Sequence, residues 1–322
     1  MSDILRSASR RFEGNNGVGQ LKTYGKKLLY SLFVMGQRLG VNITPLHYYS
    51  SIPDLRHFAA RTDWKKPYSM KGITMRPITE QLLLLERMMR RRSWDDNYDL
   101  YAKATEQNGM PGYGVIESEV LAAFISGQDV TRVLQIGCGL STAVMLDSAA
   151  KQNKRLEITC IEPFPNCFLL RMAQQGRIRL IPKIAQSVEL ETYKQLTAGD
   201  LLFVDSTHTV APGSEVNKII LEVLPQLEVG VWVHFHDIYF PYDYTREFLS
   251  SDLFFPQETA LLYAFLLQNP SFAVELSMSV LHYSAAEQVK LLIPRYFPQK
   301  NDQGLAIPGG VHFPSSIYLK KV

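Results

Sequence analysis

The chain has 322 residues, of which 46% are hydrophobic and 20% charged, with a formal charge of +3. That composition excludes a disordered polymer and leaves room for one large α/β domain plus a smaller unit. No run reaches the about 18 apolar residues that a spanning helix needs, and M-S-D-I-L-R-S-A-S-R-R at the start lacks an apolar segment of signal-peptide length, so a cytoplasmic protein is expected.

Residues 1–92 hold 17 Lys and Arg against 6 Asp and Glu, and residues 93–322 hold 17 against 25. This shift predicts a basic, mainly helical N-terminal unit over 1–92 and a larger domain over 93–322. A cationic surface attracts nucleic acid or an anionic membrane without specificity, but no nucleic-acid motif accompanies it. A solvated face, or one turned to the acidic remainder, is the simpler reading. Within this unit, glycines and paired asparagines mark 1–20 as loosely packed, and K-K-L-L-Y-S-L-F-V-M-G-Q-R-L predicts an amphipathic helix over 21–39. Prolines 45 and 53 bracket an extended stretch that offers His47, Tyr48 and Tyr49 to a cleft, and a further helix is expected over 79–92.

After a helix near 116–126 the pattern becomes regular. Strands are expected at 132–137, 156–162, 178–183, 201–205 and 230–237, with helices at 142–151, 166–175, 188–196 and 214–224 between them. Near-continuous apolar strands alternating with helices predict a doubly wound, mostly parallel sheet. An aromatic insertion (238–255), a helix near 259–267 and strands at 272–279 and 316–320 complete it. Cys138, Cys160 and Cys167 have no CxxC or Cys/His spacing and read as reduced.

Ligands of such a sheet sit at the carboxyl ends of its strands. The first strand runs into Gly137-Cys138-Gly139 and a helix entered at Ser141 or Thr142, a turn whose main chain can lie against a ligand. Glu162 ends the second strand, where a carboxylate can accept both hydroxyls of a ribose. A dinucleotide fingerprint needs a small third residue, and Thr142 stands there, so a ligand without a pyrophosphate is the better fit. Asp205, His208, His234, His236 and Asp237 end the fourth and fifth strands. His234 reads as a satisfied core histidine. The others leave three readings open: a divalent metal site, a histidine base, or strand-end hydrogen bonding. Tyr239, Phe240, Tyr242 and Tyr244 wall an acceptor pocket or form a surface flap, and Tyr48, Tyr113 and His47 are lid candidates.

V-L-Q-I-G-C-G-L-S-T, C-I-E-P-F-P, G-D-L-L-F-V-D-S-T-H, L-P-Q-L-E-V-G-V-W-V-H-F-H-D-I-Y-F-P-Y-D-Y and E-T-A-L-L-Y-A-F-L together resemble the class I S-adenosylmethionine-dependent methyltransferases, in the bacterial branch found beside sugar- and glycan-building enzymes. The front segment H-Y-Y-S-S-I-P-D is similar to one seen ahead of such domains. The resemblance implies a Rossmann-like methyltransferase sheet and O-methylation of a sugar or other small hydroxylated metabolite. It implies that Gly137 and Gly139 face the methionine part of S-adenosylmethionine, Glu162 its ribose, and Gln186 and Ser187 its adenine, with Cys138, Ser141 and Thr142 of the same turn also binding the cofactor. Gln135 stands where an acidic residue is common, so Asp205 would supply the contact to the cofactor's amino group. Catalysis would fall to Asp205, His208 and His236, and a metal to Asp205, His236 and Asp237. A metal-dependent oxygenase or hydrolase on that cluster, or a non-catalytic cofactor-binding scaffold whose front unit docks a partner or membrane surface, are the alternatives; the oligomeric state stays open.

Overall fold

The computed structural model describes residues 16–47, 49–61, 63, 66–92, 98–243, 254–297 and 314–322. Tyr48 and Tyr244 lie outside these, as does most of the loose segment expected over 1–20. The chain divides into two compact units, 1–61 and 62–322. In the first, helix α1 (Asn16–Arg38) is followed by a short α2 (Leu55–Ala60), capped by the Asp54 side chain accepting from the Arg56 N–H. Among the described residues no helix is long and apolar enough to cross a membrane.

The second unit is built on a sheet of β1 (Arg132–Ile136), β2 (Glu157–Ile161), β3 (Arg179–Ile181), β4 (Leu201–Val204), β5 (Trp232–Phe235), β6 (Phe272–Ser277) and β7 (Ile317–Lys321). Their order across the sheet is β3-β2-β1-β4-β5-β7-β6; the first five are parallel, and β7 is antiparallel to both its neighbours. This is the doubly wound, mostly parallel, Rossmann-like architecture expected, with its last two strands paired as the antiparallel end.

Alternate strand residues feed two cores. Val133, Leu201, Phe203 and Trp232 face α3 (Ile78–Arg90), α4 (Leu100–Asn108), α5 (Val115–Gly127) and α6 (Leu140–Lys151). Leu134, Ile136, Leu202, Val204, Val233 and Phe235 face the residue 185–227 region and α7 (Glu258–Leu266).

Charge misplaced the boundary at residue 92. Residues 74–76 run along the edge of β6, with the Val274 N–H donating to Thr74 and the Arg76 N–H to Val274, and Leu85 and Met88 of α3 are fully buried in the main core. The basic side chains of α3 cover only its outer face, so composition reports surface there and not domain membership.

Candidate active site

The register of the sheet sets the site. Ile136 pairs with Ile161 on one side and Val204 on the other, and Val204 pairs with Phe235. The next residues on β2, β1, β4 and β5 are Glu162, Gly137, Asp205 and His236, which therefore form one row along the carboxyl edge. Main-chain bonds extend the ladder through that row: Asp205 N–H to Ile136 at 3.0 Å and His236 N–H to Val204 at 3.0 Å. Gly137 has φ +73°, and a Cβ there would lie 1.6 Å from the Asp205 carbonyl oxygen, so only glycine lets the two strand ends come this close.

Behind the turn lies a buried polar knot. Gln135 Nε2 donates to the Gly137 carbonyl (3.1 Å) and to Ser141 Oγ (2.8 Å), while its Oε1 accepts from Thr142 Oγ1 at 2.9 Å. Thr142 Oγ1 in turn accepts from the Gly139 N–H at 3.1 Å. The expectation that Ser141 and Thr142 face the cofactor therefore needs correction for their side chains: α6 begins at Leu140, which turns both inward to Gln135, where they are buried. In front of the turn, Glu162 accepts from the Cys138 N–H (3.2 Å) and the Phe164 N–H (2.9 Å). The adjacent Phe164 is 86% exposed. Gln186 is half-buried and Ser187 exposed on the one-turn helix Ala185–Ser187, just beyond the end of β3. Asn108, which sequence reading passed over, ends α4 against Gly139 and is held by Asn166 Nδ2 at 2.7 Å. Cys138 lies in the turn, and all three cysteines are free.

On the other side of Asp205 lies the acid–histidine cluster. Asp205 Oδ1 is 3.3 Å from His236 Nδ1 and 3.6 Å from His208 Nε2. Asp237 stands 3.6 Å from His236 Nδ1 and 3.7 Å from His208 Nε2. His236 Nδ1 is buried without a hydrogen-bond partner. Asp205, His208 and His236 form the trio whose donor atoms all lie within 4.8 Å of one another. The donor set expected from the sequence, Asp205, His236 and Asp237, is thus corrected by the entry of His208, with Asp237 alongside. The backbone carries His208 inward at φ +56°, outside the common L-residue regions, and its carbonyl accepts from the Gln257 N–H at the start of α7. Asp237, at φ +55°, is held by Ser315 Oγ (2.9 Å), and Ser315 N–H donates to the buried Glu117.

Burial would raise the Asp205 carboxyl, but His236 and His208 outweigh it and hold Asp205 well below the usual carboxylate range. Burial also opposes charge on His208, yet the neighbouring Asp205 and Glu258 carboxylates push it up to about 11. Against the same burial, Asp237 and Asp205 push His236 up to about 9. His234 goes the other way, well below 6.5, through burial and the neighbouring His236. It lies in the core as expected, stacked on Phe203 at 4.2 Å with Nε2 bonded to the Tyr113 hydroxyl at 3.0 Å, but its Nδ1 is buried without a hydrogen bond, so it is satisfied on one side only.

Two aromatic expectations are overturned. Tyr113 is no lid: it is buried at φ +30°, wedged against Phe203, His234 and His236. Phe240 walls no pocket, being fully buried beside Tyr263. Besides Asn108, residues missed in the sequence are Glu117, Glu258 and Ser315. Glu117 and Glu258 had a readable signal, a carboxylate inside a helix apolar on nearly every side, which must find a buried partner.

Residues 134–238 match a family model described as a methyltransferase domain. No curated protein matches the chain. Among solved structures, the S-adenosylhomocysteine-bound Podospora anserina methyltransferase PaMTH1 is 14% identical over 86% of this chain and 100% of its own, at a TM-score of 0.38. The plantazolicin methyltransferase BamL, solved with a triazolic desmethylPZN analog and S-adenosylhomocysteine, is 12% identical over 76% of this chain and 97% of its own, at 0.37. A branched-chain polyamine synthase mutein from Thermus thermophilus is 12% identical over 87% and 72%, at 0.35. The matched segment holds the glycine turn, Glu162, Asp205, His208 and His236, so the residues at the carboxyl edge of the sheet lie within the part of the chain that is similar to a methyltransferase domain.

Proposed function

We propose that this chain is an S-adenosylmethionine-dependent methyltransferase that methylates an oxygen of a sugar or another small hydroxylated metabolite. The observation that carries the reading is the row Glu162–Gly137–Asp205–His236. It sets a turn suited to the cofactor on one side of Asp205 and a proton-handling cluster on the other, with strands about 4.8 Å apart. A methyl donor and a hydroxyl acceptor placed on the two sides would meet across Asp205.

The residues fit the cofactor. Glu162 keeps lone pairs free for ribose hydroxyls beyond the two N–H groups it accepts, and Phe164 offers an exposed ring face to the adenine. Gln186 and Ser187 border the same face, and the Gly137 to Gly139 main chain receives the methionine portion. S-adenosylmethionine supplies an electrophilic methyl group on a sulfonium sulfur.

For the acceptor, Asp205, His208 and His236 are proposed to hold a divalent ion, the function of which is to lower the pKa of a bound hydroxyl. The convergence of His236 Nδ1 and His208 Nε2 on Asp205 Oδ1 at 3.3 and 3.6 Å supports this over a histidine base acting alone. The chain's own contribution is proximity and in-line orientation, with Asp237 beside the cluster as an acceptor for the departing proton.

Radiolabelled S-adenosylmethionine incubated with the full chain and a panel of sugars, catechols and aliphatic alcohols tests the reading. Label in a hydroxylated acceptor, abolished in Asp205→Asn, is expected. Transfer to nitrogen or carbon acceptors alone would contradict it.

A further inference from the structure

We infer that the cluster at the ends of β4 and β5 selects a transition-metal dication of the manganese-to-zinc series over magnesium, with His208 and His236 as paired imidazole ligands and Glu258 fixing the tautomer of His208. The role of this ion rests on the methyl-transfer reading above; the site itself rests on geometry.

The separations argue for a shared ion. Hydrogen bonds between nitrogen and oxygen span about 2.7–3.2 Å, whereas Asp205 Oδ1 stands 3.3 Å from His236 Nδ1 and 3.6 Å from His208 Nε2. Two donors each about 2.1 Å from one ion are separated by about 3.0–3.5 Å at the angles of ordinary coordination. His236 Nδ1 is buried without a hydrogen bond and faces the same space as the Asp205 and Asp237 carboxylates, 3.3 and 3.6 Å away, so it converges on them as a donor.

His208 is oriented as a ligand. Its Nδ1 lies 2.6 Å from Glu258 Oε2, a carboxylate 1% exposed on the first turn of α7. A proton on Nδ1 bonded to that carboxylate leaves Nε2 with its lone pair directed at Asp205 and Asp237. This carboxylate–imidazole arrangement raises the basicity of the ligating nitrogen and fixes the ring. The backbone reinforces it, because the His208 carbonyl accepts from the N–H groups of both Gln257 and Glu258.

The donor set decides which ion. Magnesium favours all-oxygen octahedra and retains its waters. Imidazole suits the later first-row ions. Two of the three converging donors here are imidazole nitrogens, so Mn²⁺, Co²⁺ and Zn²⁺ are favoured.

The full chain, stripped with a chelator, is titrated calorimetrically with Mg²⁺, Mn²⁺, Co²⁺ and Zn²⁺. One equivalent of Co²⁺ or Zn²⁺ is expected to bind at least about 100-fold more tightly than Mg²⁺. Glu258→Gln and His208→Gln should each weaken Co²⁺ by about 10–100-fold. Because Glu258 is buried and its replacement can impair folding, a second readout uses the unaltered protein. Proton NMR of the Co²⁺-loaded chain should show two exchangeable, hyperfine-shifted imidazole N–H signals that vanish in heavy water. Mg²⁺ binding as tightly as Co²⁺, no binding of any ion, or a Co²⁺ complex without those signals would overturn the inference. S-adenosylhomocysteine titrated into the same stripped protein separates the two claims. Its binding without ion selectivity ends this inference alone, and ion selectivity without its binding ends the methyl-transfer reading alone.

Discussion

The carbonyl of Asp205 fills the space that a side chain on Gly137 would occupy: a Cβ built there falls 1.6 Å from that oxygen. The glycine turn and the acid–histidine cluster are thus locked together through one missing methyl group. Gly137→Ala adds a left-handed backbone cost of about 1–2 kcal/mol to an overpacking cost of about 1–3 kcal/mol. Gly176, also at positive φ (+67°) but with open space around it, is the control. Gly176→Ala should cost only the backbone term, about 1–2 kcal/mol. Urea unfolding of the two variants checks this, and equal midpoints would show that the β1–β4 approach is looser than described.

Gln135 organises the turn from behind. Gln135→Ala strips partners from Ser141 and Thr142, both buried, and should cost about 1–3 kcal/mol while weakening S-adenosylhomocysteine. Urea unfolding together with calorimetry measures both. A loss of stability without a loss of affinity would mean that the knot supports the helix and not the ligand.

Glu162 and Phe164 separate ligand binding from folding. Phe164 is 86% exposed, so Phe164→Ala should leave the thermal midpoint unchanged yet weaken S-adenosylhomocysteine about tenfold through lost stacking. Glu162→Ala should weaken it about 10–100-fold, as removal of a charged hydrogen-bond acceptor does. Unaltered affinity in both variants would remove the cofactor from this cleft.

The cluster makes the stability of the ion-free chain depend on pH in a definite direction. With folded values of about 11 for His208 and about 9 for His236, both above the ordinary 6.5, folding takes up protons. This stabilisation is complete below about pH 6.5 and is lost as pH rises through 9 and then 11. Asp205, depressed in the fold, adds stability above its ordinary 3.8 that is lost on acidification. Thermal midpoints in excess chelator should therefore fall between pH 7 and 10. A flat or rising profile would place the imidazoles in other surroundings.

Much of this arrangement was readable before any coordinates. Apolar runs ending in Gly137, Glu162, Asp205 and His236 announced a parallel sheet with its chemistry at one edge, because buried parallel strands leave polar residues nowhere else to go. The direction of individual side chains was not readable. Ser141 and Thr142 follow the glycines in sequence but turn back to Gln135, since the helix starts one to two residues earlier than its pattern suggests. Tyr113 and Phe240 look like surface aromatics beside prolines and glycines and are instead packed inside. Glu258 lies 50 residues from His208 in the chain, and only the fold brings α7 against the end of β4. Helices Leu100–Asn108 and Met278–Leu292 went unread: polar residues interrupt the apolar spacing of the first, and the second follows β6 directly, with Ser277 at once the strand's last residue and the helix cap.

The central claim is that the edge formed by Gly137, Glu162 and Asp205 binds S-adenosylmethionine and presents it to the cluster. Calorimetric titration of S-adenosylhomocysteine into the full chain, with Glu162→Ala measured alongside, tests it most directly. The account predicts one site of micromolar affinity that is weakened at least about tenfold in the variant. No heat of binding up to millimolar ligand, or the same affinity in both proteins, would contradict it.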